Sequence, residues 1–459
     1  MLSFVALLAT AGFQGLDVRV DPRVELLTIV FRLADAGEFK MPAGESPYSK
    51  KVDEYFAKYK NHPAVNRAAA IREEYGIGFD AVPTLAVHIK DVQSFKELVP
   101  FDKAPARWDE RWKPEVARSF VNDLKKFVKD THFSDFMKSE QPYFAKATQG
   151  LKNLAVRFPV DRWMPEFYGI APDVKPYAIV GLLCGGGNYG MSVQYQDGKV
   201  QVSPILGADQ FDKEGVPVFE EYSVPLLVHE FSHAYVNHLV EPSVPRLAPS
   251  VDAFAPVLKD MWAARAYRGS KTILCESFTR SVELYMARKN LSPAIALDNL
   301  IGQRSGGFLW MSDLSDMLGT YEKNRSTYKT FRDYLPLMFS KFEELAKNPQ
   351  ALYDRCPKVA KLETNFGPVQ GETRSMTVHV EFDQPMMTNS RGFSMEPPGW
   401  TVQTKTAFAA DGKSFDIVLQ VKPGVDYTIA LNRFGSGLTS SNSYPLLPYK
   451  REVKAAPAE

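Results

Sequence analysis

The stretch VPLLVHEFSHAYVNHLVEP, residues 224–242, carries His229, His233 and His238, three of the seven histidines in the chain. Pro225 near its start and Pro242 at its end frame it as a helix of about four turns, and the apolar lead VPLLV buries that helix. Within it His229-Glu230-Phe231-Ser232-His233 reads H-E-x-x-H. Side chains at i and i+4 of a helix share one face, a turn apart. Two imidazoles placed so can hold one zinc ion at about 2.0–2.1 Å. Glu230 adjoins that face and reaches a water at the ion without being a ligand, which suits a general base. The competing reading makes both histidines ordinary polar members of an amphipathic helix; the apolar lead and the hairpin pattern upstream favour the metal site. His238, five residues beyond His233, points elsewhere.

A catalytic zinc needs a third protein ligand and an open position. The remaining histidines, His62, His88, His132 and His379, are distant in sequence. The extension H-E-x-x-H-x-x-G-x-x-H is absent, because Val236 holds the glycine place and Leu239 the last histidine place. A carboxylate from a later helix is therefore expected. CESFTRSVELYMARK offers Glu276 and Glu283 on one helical face, with Arg280 between them at i+4 and i−3. Either glutamate suits the ligand, the other pairing with Arg280. The alternative, a surface Glu-Arg-Glu ladder, sits poorly with Ile273, Leu274, Phe278, Val282 and Tyr285, which make the helix apolar. An oxyanion-stabilising group is expected from another segment. Tyr321 leads, with Tyr328 and Tyr267 beside it as candidates, although aromatics at the seven-residue spacing of Tyr321 and Tyr328 are also ordinary core. Asn237, one turn after His233, suits a residue that orients an imidazole.

Around these helices the chain is long enough, at 459 residues, for two or three packed units. A net charge of +1 without a basic block excludes a nucleic-acid partner. Cys184, Cys275 and Cys356 are too few and too scattered for a disulfide framework or a thiolate metal site. Residues 1–15, MLSFVALLATAGFQG, have the apolar run and small-x-small triplet of a secretory signal but not its basic start, so a signal is expected with a buried N-terminal segment as the alternative, and they are too short for a membrane span. The chain is read as secreted, periplasmic or displayed at the cell surface, without an integral membrane span. Asp21 and Pro22 open a helix, and helical patterns dominate up to about residue 150. Between Tyr177 and Gly207, YAIVGLL is followed by alternation at Met191, Val193 and Tyr195, a turn at Asp197-Gly198, and alternation at Val200 and Val202. This predicts a hairpin within an antiparallel sheet. The run CGGGNYG lacks the Lys-Ser/Thr of a phosphate loop and is read as a turn or bulge that opens the hairpin edge to substrate. Helices return from Pro225 to about Lys347, giving an α+β unit. From Lys358 the alternation of Met376, Val378, Val380 and Phe382, and of Phe415, Ile417, Leu419 and Val421, predicts a separate all-β sandwich of about 95 residues. The end, KREVKAAPAE, reads as a frayed tail.

The segments VEFDQPMMTN and VKPGVDYTIALN resemble the immunoglobulin-like domains of bacterial surface and secreted proteins. LLVHEFSHAYVNHL, TILCESFTRSVELY, VDPRVELLTIVFRLA and YEKNRSTYKTFRDYLP together resemble an uncharacterised family of bacterial secreted proteins with a zincin-type peptidase domain, placed with the gluzincins. The resemblance implies a zincin-like unit at 16–356 and an immunoglobulin-like domain at 358–455. It implies Zn²⁺ held by His229, His233 and Glu276, the glutamate followed four residues later by arginine, with Glu230 as base in the hydrolysis of a peptide or protein substrate. Cys275-Glu276 stands where thermolysin-like third-ligand helices open with asparagine-glutamate. Two rivals are a non-catalytic surface binding protein with a structural or vestigial site, and a metal-dependent hydrolase of a non-peptide amide. Glu230 argues against the first, because a structural zinc has no use for that carboxylate.

Overall fold

A computed structural model describes residues 15–40, 46–103, 107–390, 392–397, 407–433 and 437–454. The expected signal segment lies almost wholly outside the described residues. The chain divides into two compact units, one of residues 1–239 with 325–333, the other of 240–324 with 334–459.

The helices of the first unit are α1 (Pro22–Leu33), α2 (Pro47–Phe56), α3 (Pro63–Tyr75), α4 (Ala81–His88), α5 (Pro114–Asp130), α6 (Phe133–Ser139), α7 (Gln141–Arg157), α8 (Val160–Tyr168) and α9 (Ser223–Val240). α1 starts as its sequence requires: the Asp21 carboxylate accepts from the Arg23 N–H at 3.0 Å, and Pro22 fills the first helical position, where no donor is needed. The strands are β1 (Asp17–Arg19), β2 (Tyr177–Gly181), β3 (Ser192–Gln194), β4 (Val200–Val202) and β5 (Ile205–Gly207). β3 and β4 form the expected antiparallel hairpin, Ser192 opposite Val202. The sheet that carries YAIVG corrects the sequence reading, for its order is β1-β2-β5 and both pairings are parallel. The reason is visible in β2, which is buried at every position. A strand covered on both faces reads as an unbroken apolar run, and such strands belong to parallel sheets.

The second unit begins with α10 (Val244–Ala263), α11 (Gly269–Asn290), α12 (Pro293–Ser305), α13 (Met311–Lys323), α14 (Phe331–Ala346, its first residues belonging to the first unit) and α15 (Pro349–Tyr353). It continues with β6 (Val359–Gln370), β7 (Thr373–Phe382), β8 (Phe393–Glu396), β9 (Ala407–Phe408), β10 (Ser414–Val421), β11 (Tyr427–Leu431) and β12 (Tyr449–Val453). These strands form two antiparallel sheets, β6-β7-β10-β9 and β12-β11-β8, around a core of their own. The alternating residues supply that core: Met376, Val378 and Val380 from β7, Ile417 and Leu419 from β10, Ile429 and Leu431 from β11. The expected frayed tail is in part a strand, since Lys450–Val453 pair with β11. Arg304 of α12 anchors the β region to the helices: its guanidinium stacks 3.6 Å from the Tyr444 ring and donates to the carbonyls of Asn442 and Ser443 at 3.2 Å each. Cys184, Cys275 and Cys356 are buried free thiols. No described helix is long and apolar enough to cross a membrane.

Candidate metal centre

α9 runs for 18 residues, about five turns, and starts before Pro225, which falls in the first turn, where helix N–H groups have no intrahelical partner. It is buried along most of its length. α8 packs beside it: Tyr235 stacks on Tyr168 at 4.5 Å between ring centroids, and Ser232 Oγ lies 3.7 Å from Met164 Sδ. Arg107 joins α9 to β3, donating to the Ala234 carbonyl at 2.6 Å and to Ser192 Oγ at 2.9 Å. Its other terminal nitrogen lies 3.4 Å from Nδ1 of His238. His238 is thus held in a structural contact. Burial, then Arg107 and Arg332, push its pKa down to about 4, so it is neutral at physiological pH.

The H-E-x-x-H spacing does bring two imidazoles together. The Nε2 atoms of His229 and His233 are 3.0 Å apart, with the rings nearly perpendicular. Asn237 Oδ1 stands 3.0 Å from Nδ1 of His233. An amide oxygen only accepts, so Nδ1 carries the proton and Nε2 presents its lone pair. Two ligand atoms of a tetrahedral zinc are about 3.3 Å apart, close to the spacing of this nitrogen pair. Glu230, between the histidines in sequence, is 5% exposed.

The glycine run holds the expected turn, the Gly187 N–H donating to the Cys184 carbonyl at 2.8 Å, and its last glycine has a further role. A β-carbon on Gly190 would lie 2.5 Å from His233 Cβ and 2.7 Å from the Glu230 carbonyl oxygen. The loop therefore presses its backbone against the histidine helix, and Gly190 is the residue that permits the approach.

α11 is buried on nearly all sides, which rules out the surface ladder. Arg280 pairs with Glu276, Nη2 to Oε2 at 2.8 Å, and stands 3.9 Å from Glu283. Glu283 accepts from Asn299 Nδ2 at 2.5 Å. The two glutamates thus differ: Glu276 is the one whose carboxylate joins the imidazoles. His229, His233 and Glu276 each offer one ligand atom, and these atoms lie within 4.8 Å of one another. Two imidazole nitrogens and a carboxylate oxygen are a donor set that zinc accepts with a fourth position open, so the residues fit the ion.

Of the three tyrosines, Tyr321 is a fully buried residue of α13, 5.4 Å from the Tyr334 ring. Tyr328 is half-buried between α13 and α14. Tyr267 stands beside the Glu276–Arg280 pair, its hydroxyl accepting from Arg280 Nη2 at 2.5 Å. Arg107 escaped the sequence reading altogether, because one arginine in a polar stretch carries no periodic signal. Gly190 had a signal, a glycine within a strand pattern, which marks a close backbone approach as well as a bulge.

The chain belongs to the family described as domain of unknown function DUF4932, which matches residues 16–340. Neither the curated proteins nor the solved structures gave a match.

Proposed function

We propose that this chain is a zinc-dependent peptidase, with a zincin-like helical part and a C-terminal immunoglobulin-like domain. The observation that carries the reading is the convergence of His229, His233 and Glu276, with Glu230 in the helix position between the two imidazoles. His229 and His233 would hold the ion through Nε2, Asn237 fixing the second ring, and Glu276 would close the set, its carboxylate aligned by Arg280. Zinc, when bound, supplies Lewis acidity toward the scissile carbonyl and the attacking water. Glu230 takes a proton from that water as the new C–O bond forms, then passes it to the amine nitrogen as the C–N bond breaks. One water is consumed, and a carboxylic acid and an amine are released, which at neutral pH become a carboxylate and an ammonium group as the second proton passes from one to the other. The immunoglobulin-like reading is supported by the two antiparallel sheets around one core and by Tyr427, whose hydroxyl accepts from the Lys422 N–H at 2.8 Å.

The test is elemental analysis followed by digestion of a peptide library. The purified protein should carry about one zinc per chain. Glu230→Gln should keep that zinc and lose at least about 10²–10⁴-fold in hydrolysis, the usual worth of a positioned base. Cleavage at the parent rate would remove Glu230 from the mechanism, and protein that takes up no zinc at neutral pH would end the peptidase reading.

A further inference from the structure

The chain between α10 and α11 bends through a turn in which Ala266 adopts φ 60°, a left-handed conformation that residues with a β-carbon rarely hold. The turn is over-determined. Ala266 N–H donates to the Ala263 carbonyl and Tyr267 N–H to the Trp262 carbonyl, each at 3.0 Å, while Trp262 Nε1 donates to the Gly307 carbonyl at 3.1 Å. Such backbone outliers persist where the surroundings fix them, and they gather at functional sites. What this one presents is Tyr267. Its ring meets Phe308 edge-on at 6.0 Å, and its hydroxyl is gripped by the same Arg280 nitrogen that pairs with Glu276.

A phenol that accepts from a guanidinium keeps its own proton for another acceptor. We infer that Tyr267 is a catalytic residue that donates this proton, as a hydrogen bond, to the oxyanion developing on the scissile carbonyl. The inference rests on the peptidase reading and deepens it. Arg280 has two tasks in this arrangement: it aligns the Glu276 carboxylate with one contact and sets the direction of the Tyr267 hydroxyl with another. The strained turn supplies the rigidity that such a donor needs, because a donor is worth most when it is already in place as charge develops. Tyr321, the leading candidate from the sequence, is fully buried in α13 beside the Tyr334 ring, and the two tyrosines are told apart by the experiment.

The experiment is calorimetric titration of the zinc-loaded full chain with a phosphinic peptide, a stable mimic of the tetrahedral anion. The wild type is compared with Tyr267→Phe and Tyr321→Phe, and zinc content and circular dichroism are recorded for each. Tyr267→Phe should bind the phosphinate about a hundredfold more weakly, with zinc and fold unchanged, and Tyr321→Phe should bind as the wild type does. On any peptide the library shows to be cleaved, Tyr267→Phe should lower kcat by a similar factor and leave KM nearly intact. Undiminished phosphinate affinity in Tyr267→Phe overturns the inference, as does loss of affinity in Tyr321→Phe alone. Loss of zinc in Tyr267→Phe also overturns it, since the tyrosine would then act through Arg280 on the ligand set. A wild type that cleaves no peptide defeats the peptidase reading by itself; the titration still decides the Tyr267 assignment, and a wild type that binds no phosphinate decides it negatively.

Discussion

Histidine meets carboxylate in two regions of this molecule, with opposite outcomes. On β7 and β10, His379 stands opposite Asp416 in register, its Nδ1 2.7 Å from Asp416 Oδ1 and its Nε2 3.2 Å from Glu381 Oε1. The group lies on the solvent side of the sheet, and both ring nitrogens are taken up by carboxylates. The hydrogen bond to Asp416 raises the pKa of His379, a surface ion pair in the making. On α9, by contrast, an amide oxygen takes Nδ1 of His233, and Nε2 is left to converge with its neighbour inside the protein. The same residue types thus meet in different surroundings, and what separates them is burial and the partner of the second ring nitrogen. Counting histidines and acids would not have told them apart.

The largest expected effect tests that contrast directly. His233→Ala and Glu276→Ala should each weaken zinc binding by more than the about 10–100-fold typical of a lost supporting partner. Glu283→Ala and His379→Ala should leave the stoichiometry at that of the parent, as read by competition with a chromophoric chelator. If His379→Ala empties the protein of zinc, the contrast is wrong. If Glu283→Ala outweighs Glu276→Ala, the two glutamates exchange places.

A smaller effect sharpens the role of the glycine loop. Gly190→Ala forces a methyl group into the backbone of α9 and should cost about 1–3 kcal/mol, the usual range for overpacking, read as a lower midpoint in denaturant. Gly186→Ala, whose added β-carbon meets nothing within 4 Å, is the matched control. Equal stability in the two variants would mean that the loop does not bear on α9.

The smallest effect belongs to the β region. Because the folded pKa of His379 lies above its unfolded value, its pairing contributes stability fully below the ordinary histidine pKa, and loses it as pH rises through the raised one. Solvent screening limits this to a few tenths of a kcal/mol. Asp416→Asn should flatten that slope in thermal melts taken across the neutral range. An unchanged slope would assign the pH dependence to other groups.

Much of this was legible along the chain. The H-E-x-x-H spacing placed both imidazoles on one face because helical periodicity is local, and the alternation of β7 and β10 marked their buried rows for the same reason. The pairing of β2 was not legible. Its unbroken apolar run said only that both faces are covered, while its partners β1 and β5 are three residues each and lie far off in sequence. The end of the chain misled as well, because the polar residues of β12 face solvent and resemble a tail until its partner β11 is known.

The sequence by itself determined the two helices that carry the candidate ligands, the place of Glu230 between the two histidines, and the existence of a separate β core, since each follows from contacts within a few residues or from a repeat of period 2 or 3.6. On spacing Glu276 and Glu283 stood equal; tertiary structure brought Glu276 to the two imidazoles, set Tyr267 against Arg280, and gave Arg107 and Gly190 their places beside α9. Those choices depend on which side chains packing brings together across long stretches of chain, and neither periodicity nor spacing records that.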